Sequence, residues 1–372
     1  MKNIVIPDYQ NCLMNISTSI LRHYGVDTPF ATLGILDKEL AKGYRNVVVI
    51  LIDAMGSEIL KKHPEQTEYL LANQKDILTT VFPSTTVSAT TSMLTGRPPI
   101  INGWIGWLQF IKEEERSVIF FLNKDFYDDT HEFNYNVSEK YAPITKIYEL
   151  IENNSPDVSA VEIFPEFKTP EHKTFKDICD SILRTTQAKG KHFVYAYWDK
   201  VDTYLHKYGT TSDIVRDHLD EIDKDMRSLI ENLDDDTLVI VTADHGQIDI
   251  EEIELWNYPD IIDTFEHKPS IEARATAFFI KEGMKDQFEK EFNKHFSEYF
   301  ILYKSEDFLK TKYLGEAKEH HKLKEFLGDY FSVAVDKYSF KLVDSKRSFK
   351  AQHAGLTKDE MLIPMIMFNP KK

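Results

Sequence analysis

The 372-residue chain carries 61 acidic against 45 basic side chains, a formal charge of −16, and 42% of it is apolar. That apolar share is enough for a sizeable core and excludes disorder as the governing state, while the charge argues against a nucleic-acid polymer or an anionic membrane as partner. Cys12 and Cys179 are too few and too far apart for a disulfide scaffold, the N-terminal MKNIVIPDYQ lacks the apolar run of a signal peptide, and no stretch has the length of a membrane span. The expectation is a soluble, cytoplasmic protein.

Along the chain, residues 8–23 place Leu13, Ile16, Ile20 and Leu21 on one helical face, and 31–42 read as a second short helix. The run VVVILI then ends at Asp53; β-branched and without polar alternation, it suits a parallel strand covered on both faces. DILTTVFP is a second strand candidate, ending at Pro83, and a helix is predicted from Thr86 to Gly96. Residues 97–140 lack a clean period. Prolines and glycines there interrupt Trp104, Trp107 and Phe110, as in a rim segment beside a pocket.

Helices predicted at 144–153, 171–188 and 211–232 alternate with the strands VSAVEIF, HFVYAYW and TLVIVTA. This rhythm predicts an α/β fold with a largely parallel central sheet, helices on both faces, and strand carboxyl ends along one edge. The main catalytic domain is expected over 1–269. A smaller α+β insertion or lid is expected over 270–345, with FSVAVD and YSFKLV as paired strands, and 346–372 return to the main domain.

Three islands at strand ends carry metal-type side chains. Asp53 follows the first strand, Asp244 and His245 follow TLVIVTA, and Asp202 and His206 follow HFVYAYW. The four-residue spacing of Asp202 and His206 puts both on one helical face, able to offer oxygen and nitrogen to one divalent ion. His353, in AQHAGL, adds a further nitrogen. Taken singly, a helix cap, a surface ion pair or a satisfied core histidine accounts for each island. Taken together, three carboxylates against two divalent cations leave about one positive charge to attract a phosphate oxygen. The mixed nitrogen and oxygen set suits zinc, with manganese as the alternative.

A hydroxyl nucleophile completes such a centre. Thr86, at the predicted helix start, is favoured over Ser84 and Thr85, since backbone N–H groups there can meet developing phosphate charge; simple N-capping is the competing role.

These motifs together resemble the alkaline phosphatase superfamily, specifically its type I phosphodiesterase/nucleotide pyrophosphatase branch. FPSTTVSATTSMLTG is similar to that family's nucleophile segment, which assigns the nucleophile to Thr86. VVVILIDAMG and TADHG match the segments that place Asp53, Asp244 and His245, with Thr86, on one metal; DTYLH and AQHAG place Asp202, His206 and His353 on the other. The resemblance spans residues 46–353. It implies an alkaline phosphatase-like fold, two zinc ions and a covalent phospho-threonine intermediate in hydrolysis of a phosphodiester or nucleotide phosphoanhydride.

One segment departs from the family pattern. Where members carry a histidine-glycine turn and then a phosphate-contacting asparagine, this chain has PPIINGWIGWLQF, with Asn102 and Trp107 near those places. The substrate is therefore expected to be a small phosphorylated molecule, such as a nucleotide, with Trp104, Trp107 and Tyr204 as candidate stacking residues. Alternatives are a phosphomonoesterase or phosphomutase acting on a small phosphorylated metabolite, and a non-catalytic binding protein stapled by its metals.

Overall fold

A computed structural model describes residues 4–346 and 348–369. Its central sheet has six strands in the order Gln74–Thr79, Leu362–Phe368, Thr237–Thr242, Asn46–Ile52, Lys191–Trp198 and Val158–Ile163. The last four run parallel, and Leu362–Phe368 is antiparallel to both its neighbours. All seven residues of Asn46–Ile52 are buried, which is why that strand reads as an unbroken apolar run.

Register explains why the three islands converge. Ile52 lies opposite Trp198 and Leu51 opposite Thr242, so the three strands end side by side. Asp53 continues the ladder by donating its N–H to the Trp198 carbonyl at 2.8 Å. Helices Leu13–His23, Thr86–Thr95, Phe175–Gln187 and Asp213–Asn232 fall where the sequence periods put them. The last two are tied at their starts by Thr174 and Ser212, whose hydroxyls accept from Asp177 and Val215 N–H groups.

A second, seven-stranded antiparallel sheet runs in the order Phe300–Lys304, Tyr330–Ala334, Ala275–Ile280, Phe265–Ile271, Leu108–Ile111, Arg116–Ile119 and Lys124–Asp125. Part of the aperiodic stretch 97–140 is thus strand, joined through Leu108 to Ile271. The expected pairing of FSVAVD with YSFKLV does not occur. Tyr330–Ala334 lies between Ala275–Ile280 and Phe300–Lys304, whereas Tyr338–Lys341 runs parallel to Glu251–Glu254. Both partners are distant in sequence, so adjacency along the chain was a poor guide. Among the described residues, no helix is long and apolar enough to cross a membrane.

Candidate metal centre

Asp53, Asp244 and His245 are buried at the adjoining strand ends, with ligand-type atoms all within 4.8 Å of one another. His245 Nε2 lies 3.5 Å from Asp53 Oδ1 and 3.5 Å from Asp244 Oδ2. Its Nδ1–H donates to the Gly246 carbonyl at 3.0 Å, which turns Nε2 toward the carboxylates. Ala54 and His245 N–H groups each reach Asp244 Oδ1 at 3.0 Å, and the Tyr197 phenol donates to Asp53 Oδ2.

The loops can meet this closely because they are glycines at the crossing. A Cβ on Gly56 would lie 2.6 Å from Gly246 Cα, and one on Gly246 would lie 2.1 Å from the Asp359 carbonyl oxygen. Ala54 (φ 59°) and Ala354 (φ 90°), each beside a residue of the site, hold left-handed backbone at about 1–3 kcal/mol apiece.

A second group joins Asp202, His206 and His353 under the same 4.8 Å limit. Asp202 Oδ1 is 3.3 Å from His206 Nε2 and 3.9 Å from His353 Nε2. His206 Nδ1–H donates to the Ala351 carbonyl at 2.8 Å, and Gln247 Nε2 donates to Asp202 Oδ1 at 2.5 Å. The two groups abut, with the His245 and His353 rings stacked at 4.0 Å.

Donor chemistry fits a pair of cations. Among the described residues, no hydrogen-bond partner reaches the buried Asp53 Oδ1, Asp244 Oδ2 and His353 Nδ1, an expensive state unless something else satisfies them. Burial, then the Asp244 and Asp202 charges, push the Asp53 carboxyl well above the usual carboxylate range. Burial also raises Asp202, yet the His206 and His353 charges outweigh it and hold that carboxyl low. Three carboxylates facing three imidazoles form a site that divalent charge would balance.

Thr86 is the first residue of helix Thr86–Thr95, and its hydroxyl sits 3.2 Å from His245 Nε2. Capping does not account for the cluster around it. Thr85 occupies the N-cap position but makes no side-chain cap; its hydroxyl donates to Glu272 Oε1 at 2.6 Å, while Ser84 donates to the Gly355 carbonyl at 2.7 Å.

A cavity of about 420 Å³ opens over Thr86, Asp202, His206 and His353 and is walled by Trp107, Glu272, residues 339–343, Ser345 and Phe349. A larger cleft of about 770 Å³, lined by residues such as Tyr9, Arg22 and Lys312, contains none of the site groups. Of the three aromatics proposed from sequence, only Trp107 lines the cavity. Trp104 is buried with its indole N–H donated to the Ala142 carbonyl at 2.8 Å, and Tyr204 packs edge-on against His218. Asn102 closes the turn, accepting from the Trp104 N–H at 2.8 Å.

Tyr197, Gln247 and Glu272 escaped the sequence reading. Tyr197 looks like one more core aromatic in HFVYAYW; its place at the carboxyl end of a central strand was the available signal. Tyr197→Phe is expected to weaken divalent-ion binding at the first group by about 10- to 100-fold, because the phenol orients a carboxylate that this group would offer to an ion. Competition with a chelator measures it, and an unchanged affinity would mean that the ring only packs.

The sheet topology and the paired acidic and histidine groups define a metal-assisted hydrolase of the alkaline phosphatase type. The family model for type I phosphodiesterase/nucleotide pyrophosphatase matches residues 47–355, and the chain belongs to that family. Its fold is similar to that of murine ectonucleotide pyrophosphatase/phosphodiesterase 5, at 19% identity and a TM-score of 0.64 over 86% of this chain and 87% of the other. The human protein of the same name gives 18% identity and 0.64, again over 86% and 87%. Phosphonoacetate hydrolase from Sinorhizobium meliloti 1021, in complex with phosphonoacetate, gives 13% and 0.65 over 87% and 90%. No curated protein sequence matches the chain.

These relatives correct the expected cytoplasmic setting, since two of them are ectoenzymes by name. Two buried free cysteines discriminate poorly between compartments, and that was the weak step in the expectation.

Proposed function

We propose that the protein hydrolyses a phosphodiester or nucleotide phosphoanhydride through a covalent phospho-threonine at Thr86. The observation that carries this reading is the position of the Thr86 hydroxyl: at an uncapped helix start, 3.2 Å from His245 and facing the cavity that also holds the Asp202 group. Asp53, Asp244, His245 and Thr86 would hold one metal and Asp202, His206 and His353 the other, with zinc favoured by the donor set and manganese as the alternative. When bound, such cations ease formation of the threonine alkoxide and offset charge on the non-bridging phosphate oxygens.

Thr86 loses its hydroxyl proton to solvent as Oγ1 attacks phosphorus, and the P–O bond to the leaving group breaks with the electron pair going to the departing oxygen. Water then cleaves the threonine phosphoester and restores the hydroxyl. First-turn N–H groups of the helix face the charge that develops on the phosphoryl oxygens. A structure of murine ectonucleotide pyrophosphatase/phosphodiesterase 5 in complex with AMP is of an inactive threonine-to-alanine form, which favours both a threonine nucleophile and a nucleotide-type substrate here.

Incubation of the zinc-loaded protein with bis(p-nitrophenyl) phosphate and p-nitrophenyl phosphate tests the reading. The diester is expected to turn over at least about tenfold faster, a difference of some 1.4 kcal/mol in barrier. Faster release from the monoester would remove the diesterase assignment, and release from neither would remove the hydrolase mechanism at Thr86.

A further inference from the structure

Glu272 is a buried carboxyl in the cavity wall; among the described residues no ion pair reaches it, and His206 acts on its charge only through space. Its Oε1 accepts from the Thr85 hydroxyl at 2.6 Å and from the Trp107 N–H at 2.7 Å. Among the described residues, neither a hydrogen bond nor an ion pair reaches its Oε2, although the residue is only 8% exposed. Among the described residues, Lys341 is the lysine lining the same cavity, and its ammonium lies 3.8 Å from Glu252 Oε2 instead.

The backbone there is held rather than relaxed. Ile271, immediately before Glu272, has φ 79°, a conformation costing a β-branched residue about 1–3 kcal/mol, which an interior packed around it must sustain. An unpaired carboxylate in an interior is normally removed or given a cation. Here it opens onto a cavity whose remaining wall includes Trp107, Phe126, Phe340 and Phe349. Such apolar walls strengthen any charge pair formed beside them. A polyanionic tail would meet like charge at Glu272, whereas a cation would find its partner there.

Reach is short as well, because Thr85, which holds Glu272, is the direct neighbour of Thr86. Resting on the hydrolase reading above, we propose that Glu272 is the specificity determinant of this cavity: its free Oε2 receives a primary alkylammonium group, so that the preferred substrates are phosphodiesters whose phosphate keeps an aminoalkyl arm. Burial raises the Glu272 carboxyl to about 7, and an ammonium seated on it would draw that value back down.

Isothermal titration of zinc-loaded Thr86→Ala protein with 2-aminoethyl phosphate and with ethyl phosphate decides the matter without requiring turnover. The amine is expected to bind about tenfold tighter or better, the scale of one charge-assisted hydrogen bond. Adding Glu272→Gln, which keeps an acceptor for Thr85 and Trp107 while removing the charge, is expected to bring the ratio close to one. Glu272→Ala serves the same comparison should the glutamine variant not fold. Equal affinities with Glu272 in place, or a preference that survives its replacement, would overturn the assignment. Loss of aryl phosphate turnover in the unmodified protein strikes at the hydrolase reading alone, since the affinity ratio does not depend on it.

Discussion

Thr86→Ala is expected to lower turnover of an aryl phosphodiester by on the order of 10⁴-fold or more, the scale seen when an enzyme loses its nucleophile, with both metals retained. Asp53, Asp244 and His245 draw together without help from Thr86: two of their contacts come from backbone N–H groups and one from Tyr197. Metal content measured on the purified variant should therefore match the parent. Thr86→Ser keeps a hydroxyl at the helix start and should recover part of the rate. An acid quench of the parent protein during turnover should leave a phosphoryl group on the peptide containing Thr86, and the alanine variant should carry none. Retention of more than about a tenth of the parent rate by the alanine variant would place the nucleophile elsewhere. A protein in which metals only staple the fold would show no difference at all.

What could be read from the amino-acid sequence followed burial. Strands covered on both faces, Asn46–Ile52 and Thr237–Thr242, are continuous apolar runs and were legible as such. Their carboxyl ends share an edge by topology, so the acids and histidines placed there could be expected to converge before any distance was known. Leu362–Phe368 was hidden by Pro364, which breaks the strand signature although the strand lies between two neighbours. The proline faces Ile77 across the ladder, and its carbonyl still accepts the Thr242 hydroxyl at 2.8 Å. Leu108–Ile111 and Arg116–Ile119 have four residues each, too few to declare a period among the glycines and aromatics around them.

The same division runs through the site. Asp53, Asp202, His206, Asp244, His245 and His353 stand out because polar groups at the ends of buried strands and in tight turns are conspicuous. Glu272 and Tyr197 do not, since their importance lies in contacts to residues more than a hundred positions away: Thr85 and Trp107 for Glu272, Asp53 for Tyr197. No local pattern encodes such a contact. Glu272 in particular reads as a surface acid at the edge of the strand Ala275–Ile280 until the fold folds it inward.

The pair formed by Arg274 and Glu360 belongs to this hidden class and carries the other large expected effect. Arg274 Nε reaches Glu360 Oε1 at 2.8 Å and a terminal nitrogen reaches Oε2 at 2.8 Å, with both side chains fully buried. Glu360 also accepts from the Gly355 N–H at 2.6 Å and the Thr357 hydroxyl at 2.6 Å, and Arg274 donates to the Tyr338 carbonyl at 2.6 Å. Through these bonds the second sheet is fastened to the turn that carries His353. Removing one member leaves the other charged, buried and unpaired. Arg274→Met and Glu360→Gln are each expected to cost roughly 3–5 kcal/mol, because the surviving group keeps its desolvation penalty without the compensating charge. Removing both members should cost less than the sum of the two, by about 1 kcal/mol or more, the coupling expected of residues in one network. Denaturant titration with an unchanged slope reads these losses as shifts of the midpoint. Because Gly355 lies two residues beyond His353, the single variants should also bind a divalent ion more weakly at the Asp202 group than at the Asp53 group. Single variants within about 1 kcal/mol of the parent, and with divalent-ion affinity intact at both groups, would show that the interior around Arg274 admits enough water to solvate the lone charge.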